Sequence, residues 1–191
     1  MSLNNIFERK VNLLIELFEK YGISIDEPVL DLGSGRGKIL DLIVEKGYDI
    51  WGVDKNKLLV NAHDRMLYAD VRHLSDYLNN VEYRIMTGFS VLSVEAQNNA
   101  FRNTSNFLLS ITSPFIFLKK RLEKNTEKRI DDVIKELARV LPIGGLFFNI
   151  EYADEEIGYT RERAEKLGFK VLEYRSNSQD IMLNYAVLQK L

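Results

Sequence analysis

The chain of 191 residues contains no cysteine. Disulfides, thiolate metal sites and a cysteine nucleophile are therefore excluded. Histidine occurs twice, too few for a histidine-rich metal cluster. Neither sign of charge dominates: the formal net charge is −2, so no global field draws in nucleic acid or an acidic membrane. No secretory signal is visible. The apolar stretch Phe107 to Leu118 falls short of the roughly 18 residues that a membrane span needs, so the expected location is cytoplasmic. No internal repeat or interdomain linker breaks the chain. Hydrophobic residues make up 46% and charged residues 28%, an ordinary globular composition. The length suits one domain with a sizeable core, and the expectation is a single domain over 1–191.

What is present is organised around Val29-Leu30-Asp31-Leu32-Gly33-Ser34-Gly35-Arg36-Gly37. A short apolar strand runs into three glycines at alternate positions. Lys38 to Lys46 then reads as a helix, with Ile39, Leu40, Leu42, Ile43 and Val44 apolar and Gly47 as its stop. Without Cβ atoms the backbone turns sharply and a ligand can lie against the peptide plane. The helix start behind it offers unpaired N–H groups and a partial positive charge. A tight strand-to-helix turn with no ligand is the alternative for this motif alone.

Two acids narrow the choice. Asp54 closes the apolar strand Ile50 to Asp54, 17 residues after Gly37. That is near the roughly 20-residue spacing at which an acid ending the second strand meets a ribose diol. Asp70 closes a third strand, Met66 to Asp70, of the same form. Polar groups thus line the carboxyl edge of a parallel sheet, where ligands bind as strand order reverses. A dinucleotide fingerprint has a third glycine where this chain has Lys38, and the pattern here is D-x-G-x-G-x-G.

In these residues the chain resembles the class I S-adenosylmethionine-dependent methyltransferases, over roughly residues 23 to 191. The resemblance implies a doubly wound α/β fold: a mainly parallel seven-stranded sheet with helices on both faces and a C-terminal antiparallel hairpin. It implies S-adenosyl-L-methionine as cofactor; no metal is expected. Gly33, Gly35 and Gly37 would hold its methionine part, Asp54 its ribose hydroxyls, and Asp70 its adenine amino group with Val71 beside the base. Asp31, Ser34, Lys55 and Thr87 complete the implied cofactor set.

The rest of the chain is consistent with that frame. Asn5 to Tyr21 reads as an amphipathic helix stopped by Gly22; in the resembled family such a helix often also covers the cofactor pocket. Lys57 to His63 leaves room for about two helical turns, with His63 read as a solvated loop residue. Val71 to Leu78 reads as a helix carrying His73 near its start. Tyr83 to Thr87 reads as the fourth strand, with Arg84 where many family members have an acid. The family's amino-methylating nucleic-acid enzymes follow this strand with Asn or Asp, two prolines and an aromatic; Thr87-Gly88-Phe89 has neither the Asn or Asp nor the prolines and does not form that pattern. Ile130 to Leu141 follows helical spacing before Pro142, Leu146 to Ile150 reads as the fifth strand, and Asp154 to Leu167 as a last helix. Val171 to Arg175 and Ile181 to Leu188 form the terminal hairpin.

Residues 95–126 are longer than one connecting helix needs. They read as an insertion that covers the acceptor site, with Phe107, Phe115 and Phe117 lining it; packing of 107–118 against a second copy of the chain is the alternative. Lys119 to Arg129 holds six basic residues and two glutamates, the pattern of a solvated helix face. Weak candidates for a general base are His73, Glu151 and Tyr152, so the catalytic residue is left open. The favoured activity is methyl transfer to a small molecule, with nucleic acid an unlikely partner. An RNA or protein methyltransferase, a non-catalytic cofactor-binding subunit and, weakened by Lys38 and the terminal hairpin, an NAD-binding protein are the alternatives.

Overall fold

The computed structural model describes residues 3–78, 82–89, 115–152, 161–175 and 183–191, with the backbone alone at 3–6, 115–127, 152 and 161. Its strands are β1 (Val29–Leu32), β2 (Ile50–Asp54), β3 (Met66–Tyr68), β4 (Ile85–Phe89), β5 (Leu146–Tyr152), β6 (Phe169–Arg175) and β7 (Leu183–Lys190). They form one seven-stranded sheet in the order β3-β2-β1-β4-β5-β7-β6. Strands β1 to β5 pair in parallel. Strand β7 runs antiparallel between β5 and β6, as the terminal-hairpin reading expects. Strand order reverses between β1 and β4, which places the topological switch point beside the glycine turn.

The helices are α1 (Leu3–Tyr21), α2 (Lys38–Glu45), α3 (Lys57–Val60), α4 (Phe115–Val140) and α5 (Arg161–Lys166), with a 3-10 turn at Leu74–Asp76. Helix α1 repeats buried residues at Val11, Leu14, Leu17 and Phe18, the spacing that puts one face onto a neighbour. That face packs with Leu40 and Ile43 of α2 over Val29, Ile50, Ile85 and Phe148. Phe18 and Phe148 meet edge to face at 5.2 Å. Helix α4 covers the opposite face, with Ile130, Val133, Ile134 and Leu137 against Leu30, Met86, Phe147 and Leu188. Burial on both faces is why the parallel strands read as near-continuous apolar runs. Side-chain alternation then decides what the polar positions face. Asp31 and Thr87 lie on the α1/α2 side, and Asn149 and Glu151 on the α4 side.

Some boundaries differ from the sequence reading. Helix α3 has one turn rather than two. The expected helix over Val71 to Leu78 is replaced by the 3-10 turn. Asp70 competes locally for the backbone there: its carbonyl accepts the His73 N–H at 2.9 Å and its carboxylate accepts the Arg72 N–H at 3.0 Å, a turn rather than a helix start. Strand β4 is shifted two residues toward Phe89. Helix α4 begins at Phe115, so the basic run belongs to it. The rest of the expected cover, with most of the expected dimer surface at 107–118, lies outside the described residues. So do 154–160 of the last expected helix and the hairpin turn at 176–180. Among the described residues no helix is long and apolar enough to cross a membrane, and no cluster of acids and histidines has the makings of a metal site.

Candidate functional site

The turn after β1 is built on left-handed backbone at Gly33, Gly35 and Gly37, with φ of 67°, 58° and 74°. L residues with a Cβ adopt that region only at a cost. The turn is pinned to β2 through Ser34 N–H, which donates to Val53 O at 3.1 Å. The Ser34 hydroxyl donates to Asp31 O at 2.9 Å. Gly52, in mid-strand opposite Asp31, makes this seat possible: a Cβ there would stand 2.4 Å from Ser34 Oγ and 2.9 Å from Leu40 Cδ1. The sequence reading gave Gly52 no role, because its requirement comes from a turn and a helix that meet only in the fold.

Asp54 lies directly across from the turn. Its Oδ2 accepts the Gly35 N–H at 3.0 Å and its Oδ1 accepts the Asn56 N–H at 2.8 Å. Asn56 in turn caps α3 by accepting the Leu58 N–H. A carboxylate has about four lone-pair sites, so two bonds leave capacity on both oxygens. Asp70 is held by Arg72 in a fork, Nε to Oδ1 at 3.0 Å and Nη2 to Oδ2 at 2.5 Å. Those bonds outweigh partial burial and hold its carboxyl down at about 2. Lys55, exposed at the end of β2, adds a nearby positive charge that acts in the same direction.

Asp31 is buried beneath the turn. Thr87 of β4, its register partner, donates its hydroxyl to Asp31 Oδ1 at 2.8 Å. Burial raises the Asp31 carboxyl to about 6, while bonds from Ser34 and Thr87 and the charge of Lys10 oppose that rise. Lys10 is itself buried, on α1. The N-terminal helix thus brings a cation toward the site, which its apolar periodicity did not announce.

The structure brings Asp31, Gly33, Ser34, Gly35, Gly37, Asp54 and Thr87 together around the switch point, with Lys55 and Asp70 one and two strands away. The Thr87 side chain is fully buried against Asp31 rather than facing outward. Val71 is 5% exposed and packs in the core with Ala69, Leu74 and Tyr83. His73 is exposed, with no side-chain capping bond. Glu151 is fully buried on β5; the side chain of Tyr152 lies outside the described residues. His63 corrects the sequence reading. It is not a solvated loop residue: its ring lies against the glycine turn, its Nε2 meets Asp41 Oδ1 at 2.9 Å, and its Nδ1 accepts the Arg65 N–H at 3.2 Å. With Nδ1 accepting, the neutral ring carries its proton on Nε2 and donates to Asp41.

No protein-family model matches the chain, and no curated protein matches it in sequence. Solved structures do. One is a TehB-like S-adenosylmethionine-dependent methyltransferase from Corynebacterium glutamicum, with 15% identity, 98% of this chain and 97% of that chain covered, and a TM-score of 0.58. Another is an S-adenosylmethionine-dependent methyltransferase from Clostridium acetobutylicum, with 12% identity, 96% and 92% covered, and a TM-score of 0.63. A third is magnesium protoporphyrin IX methyltransferase from Synechocystis with bound S-adenosylmethionine, with 12% identity, 96% and 79% covered, and a TM-score of 0.59. The fold is that of the class I S-adenosylmethionine-dependent methyltransferases.

Proposed function

We propose that this chain, as a single domain, is an S-adenosylmethionine-dependent methyltransferase acting on a small molecule. The observation that carries the reading is the Gly33–Gly37 turn bonded to Asp54 at the switch point of this fold, with Asp70 ending the next strand. The left-handed glycines keep Cβ atoms away from the bend where the methionine part would lie. Asp54 retains acceptor capacity for a ribose diol, and Asp70 provides a carboxylate for an exocyclic amine. The buried charge of Asp31 favours a cationic methionine end.

When bound, the cofactor supplies a methyl group on a sulfonium, a good leaving group. The chain's part is then to hold an acceptor atom in line, and positioning of this kind contributes up to roughly 7 to 11 kcal/mol. A base is needed only for a protonated acceptor; Glu151, Tyr152 and His73 remain its candidates. The small-molecule reading is supported by the net charge of −2 and by a β4 end without the proline-aromatic pattern of amino-methylating nucleic-acid enzymes. The Synechocystis neighbour is named for a small-molecule acceptor, magnesium protoporphyrin IX.

Titration calorimetry with S-adenosylhomocysteine tests the cofactor. Asp54→Ala removes a charged acceptor worth about 1.5–3 kcal/mol, so affinity should fall by roughly tenfold to 150-fold. No binding by the wild type, or equal binding by the variant, overturns the reading. Radiolabelled cofactor offered to metabolite extracts and to RNA tests the acceptor, which the small-molecule reading places in the metabolite fraction.

A further inference from the structure

Asn149 is fully enclosed on β5, yet neither its Oδ1 nor its Nδ2 has a hydrogen-bond partner among the described residues. Leaving such a group enclosed and unpaired costs about 1–3 kcal/mol, and native cores carry few of them. Its neighbours make the position stranger still. In register beside it stand Gly88 of β4 and Ala186 of β7. Paired residues share a face of the sheet, so a hydrogen atom and a methyl group flank the carboxamide. One row further back, Met86, Phe147 and Leu188 pair across the same three strands and fill the core. One row further forward, Glu151 pairs with Asn184, and both are buried. The α4 face of the sheet thus passes from large apolar residues to a row of small residues around a polar one, and then to buried polar residues, as it nears the carboxyl edge.

The Asn149 row adjoins the switch point. Gly88 pairs with Leu32, the residue before the glycine turn, so Asn149 stands two strand spacings from it, about 10 Å. We infer that this row is the polar end of the methyl-acceptor site. The inference rests on the methyltransferase reading and deepens it. A carboxamide offers one acceptor and two donor hydrogens, so Asn149 takes an acceptor molecule whose head group both donates and accepts, such as a carboxamide or a phenol. Glu151, on the same face about 7 Å along the strand, disfavours a carboxylate or phosphate there.

Two ring compounds of equal size test this: benzamide, neutral and able to do both, and benzoate, an anion that only accepts. Each is titrated into the isotope-labelled protein saturated with S-adenosylhomocysteine, and the amide signals of Gly88 and Ala186 are followed by NMR. Benzamide should shift both signals saturably and benzoate should bind at least about tenfold more weakly. Asn149→Leu should abolish the benzamide response. Asn149→Ala, the milder change should the leucine variant not fold, should weaken it at least about tenfold. No saturable shift at Gly88 and Ala186, equal binding of benzoate, or an unchanged response in the folded variants overturns the inference. A protein that binds S-adenosylhomocysteine but fails here loses only the Asn149 row. If it does not bind, the cofactor reading falls, and the same signals judge the Asn149 row in the free protein.

Discussion

The ring of His63 occupies the space where any side chain at Gly37 would begin. A Cβ on Gly37 would stand 2.5 Å from His63 Cδ2 and 2.9 Å from Nε2, so glycine is demanded there twice, once by φ and once by its neighbour. Gly37→Ala should therefore cost more than the roughly 1–3 kcal/mol of left-handed strain alone. His63→Ala opens the space but leaves the strain. The cost of Gly37→Ala in urea unfolding should thus fall by about 1 kcal/mol in the His63→Ala background. Strict additivity of the two changes would show that the contact carries no energy.

The N-terminal helix is tied to the terminal hairpin through Glu173. Lys20 Nζ and the Tyr21 hydroxyl meet its Oε2 at 2.6 and 3.1 Å, and the Tyr185 hydroxyl donates to its Oε1 at 2.7 Å. Burial and the neighbouring carboxylate push both phenols up to about 12, so they stay donors through the ordinary pH range. Tyr185→Phe should lower stability by about 1–2 kcal/mol in urea unfolding, with the same loss at pH 6 and pH 9. A loss that disappears at pH 9 would contradict a phenol held in its protonated form.

Much of this was legible in the sequence because its causes are local. Apolar runs around Asp31 and before Asp54 and Asp70 announce the parallel strands, and the runs Val171 to Arg175 and Ile181 to Leu188, five residues apart, announce the hairpin. What stayed hidden is produced by meetings in space. His63 lies 26 positions beyond Gly37 and reads as a loop residue until α3 delivers it to the turn. Gly52 looks like a weak strand residue until Ser34 packs on it. Arg72 carries no mark of its fork on Asp70 in the sequence, because the fork depends on the turn that replaces the expected helix. Asn149 has the spacing of a core position, and only register shows it between Gly88 and Ala186.

The Arg72 fork sets a pH dependence. The ordinary Asp value is 3.8, and the folded protein holds Asp70 at about 2. A depressed folded value contributes stability above pH 3.8, lost as pH falls through about 2. With part of the pair exposed to solvent, that contribution is about 1–2 kcal/mol. Arg72→Ala should remove it at pH 7 and flatten the fall in stability between pH 4 and 2. Arg72→Lys keeps the charge without the fork and should recover less than half. Unfolding free energies at pH 2.5, 4 and 7 decide it; an unchanged slope in Arg72→Ala would assign the acid sensitivity elsewhere.

Asp31 has the opposite sign. Its folded value is raised from 3.8 to about 6 by burial, so the folded protein binds this proton more tightly than the unfolded chain. Stability from the group is fully present below pH 3.8 and is lost as pH rises through about 6, by at most about 3 kcal/mol. Asp31→Asn keeps an oxygen for the Thr87 hydroxyl and removes the buried charge. The variant should therefore be more stable than the wild type at pH 7, with the difference vanishing near pH 4. Under the methyltransferase reading the same change should weaken S-adenosylhomocysteine binding by at least about tenfold, because the ligand's ammonium loses a nearby carboxylate. A gain in stability together with a loss of affinity is what a residue kept for its charge predicts. Asp31→Asn that loses stability at pH 7 would show instead that the carboxylate, with Lys10 beside it, serves the fold.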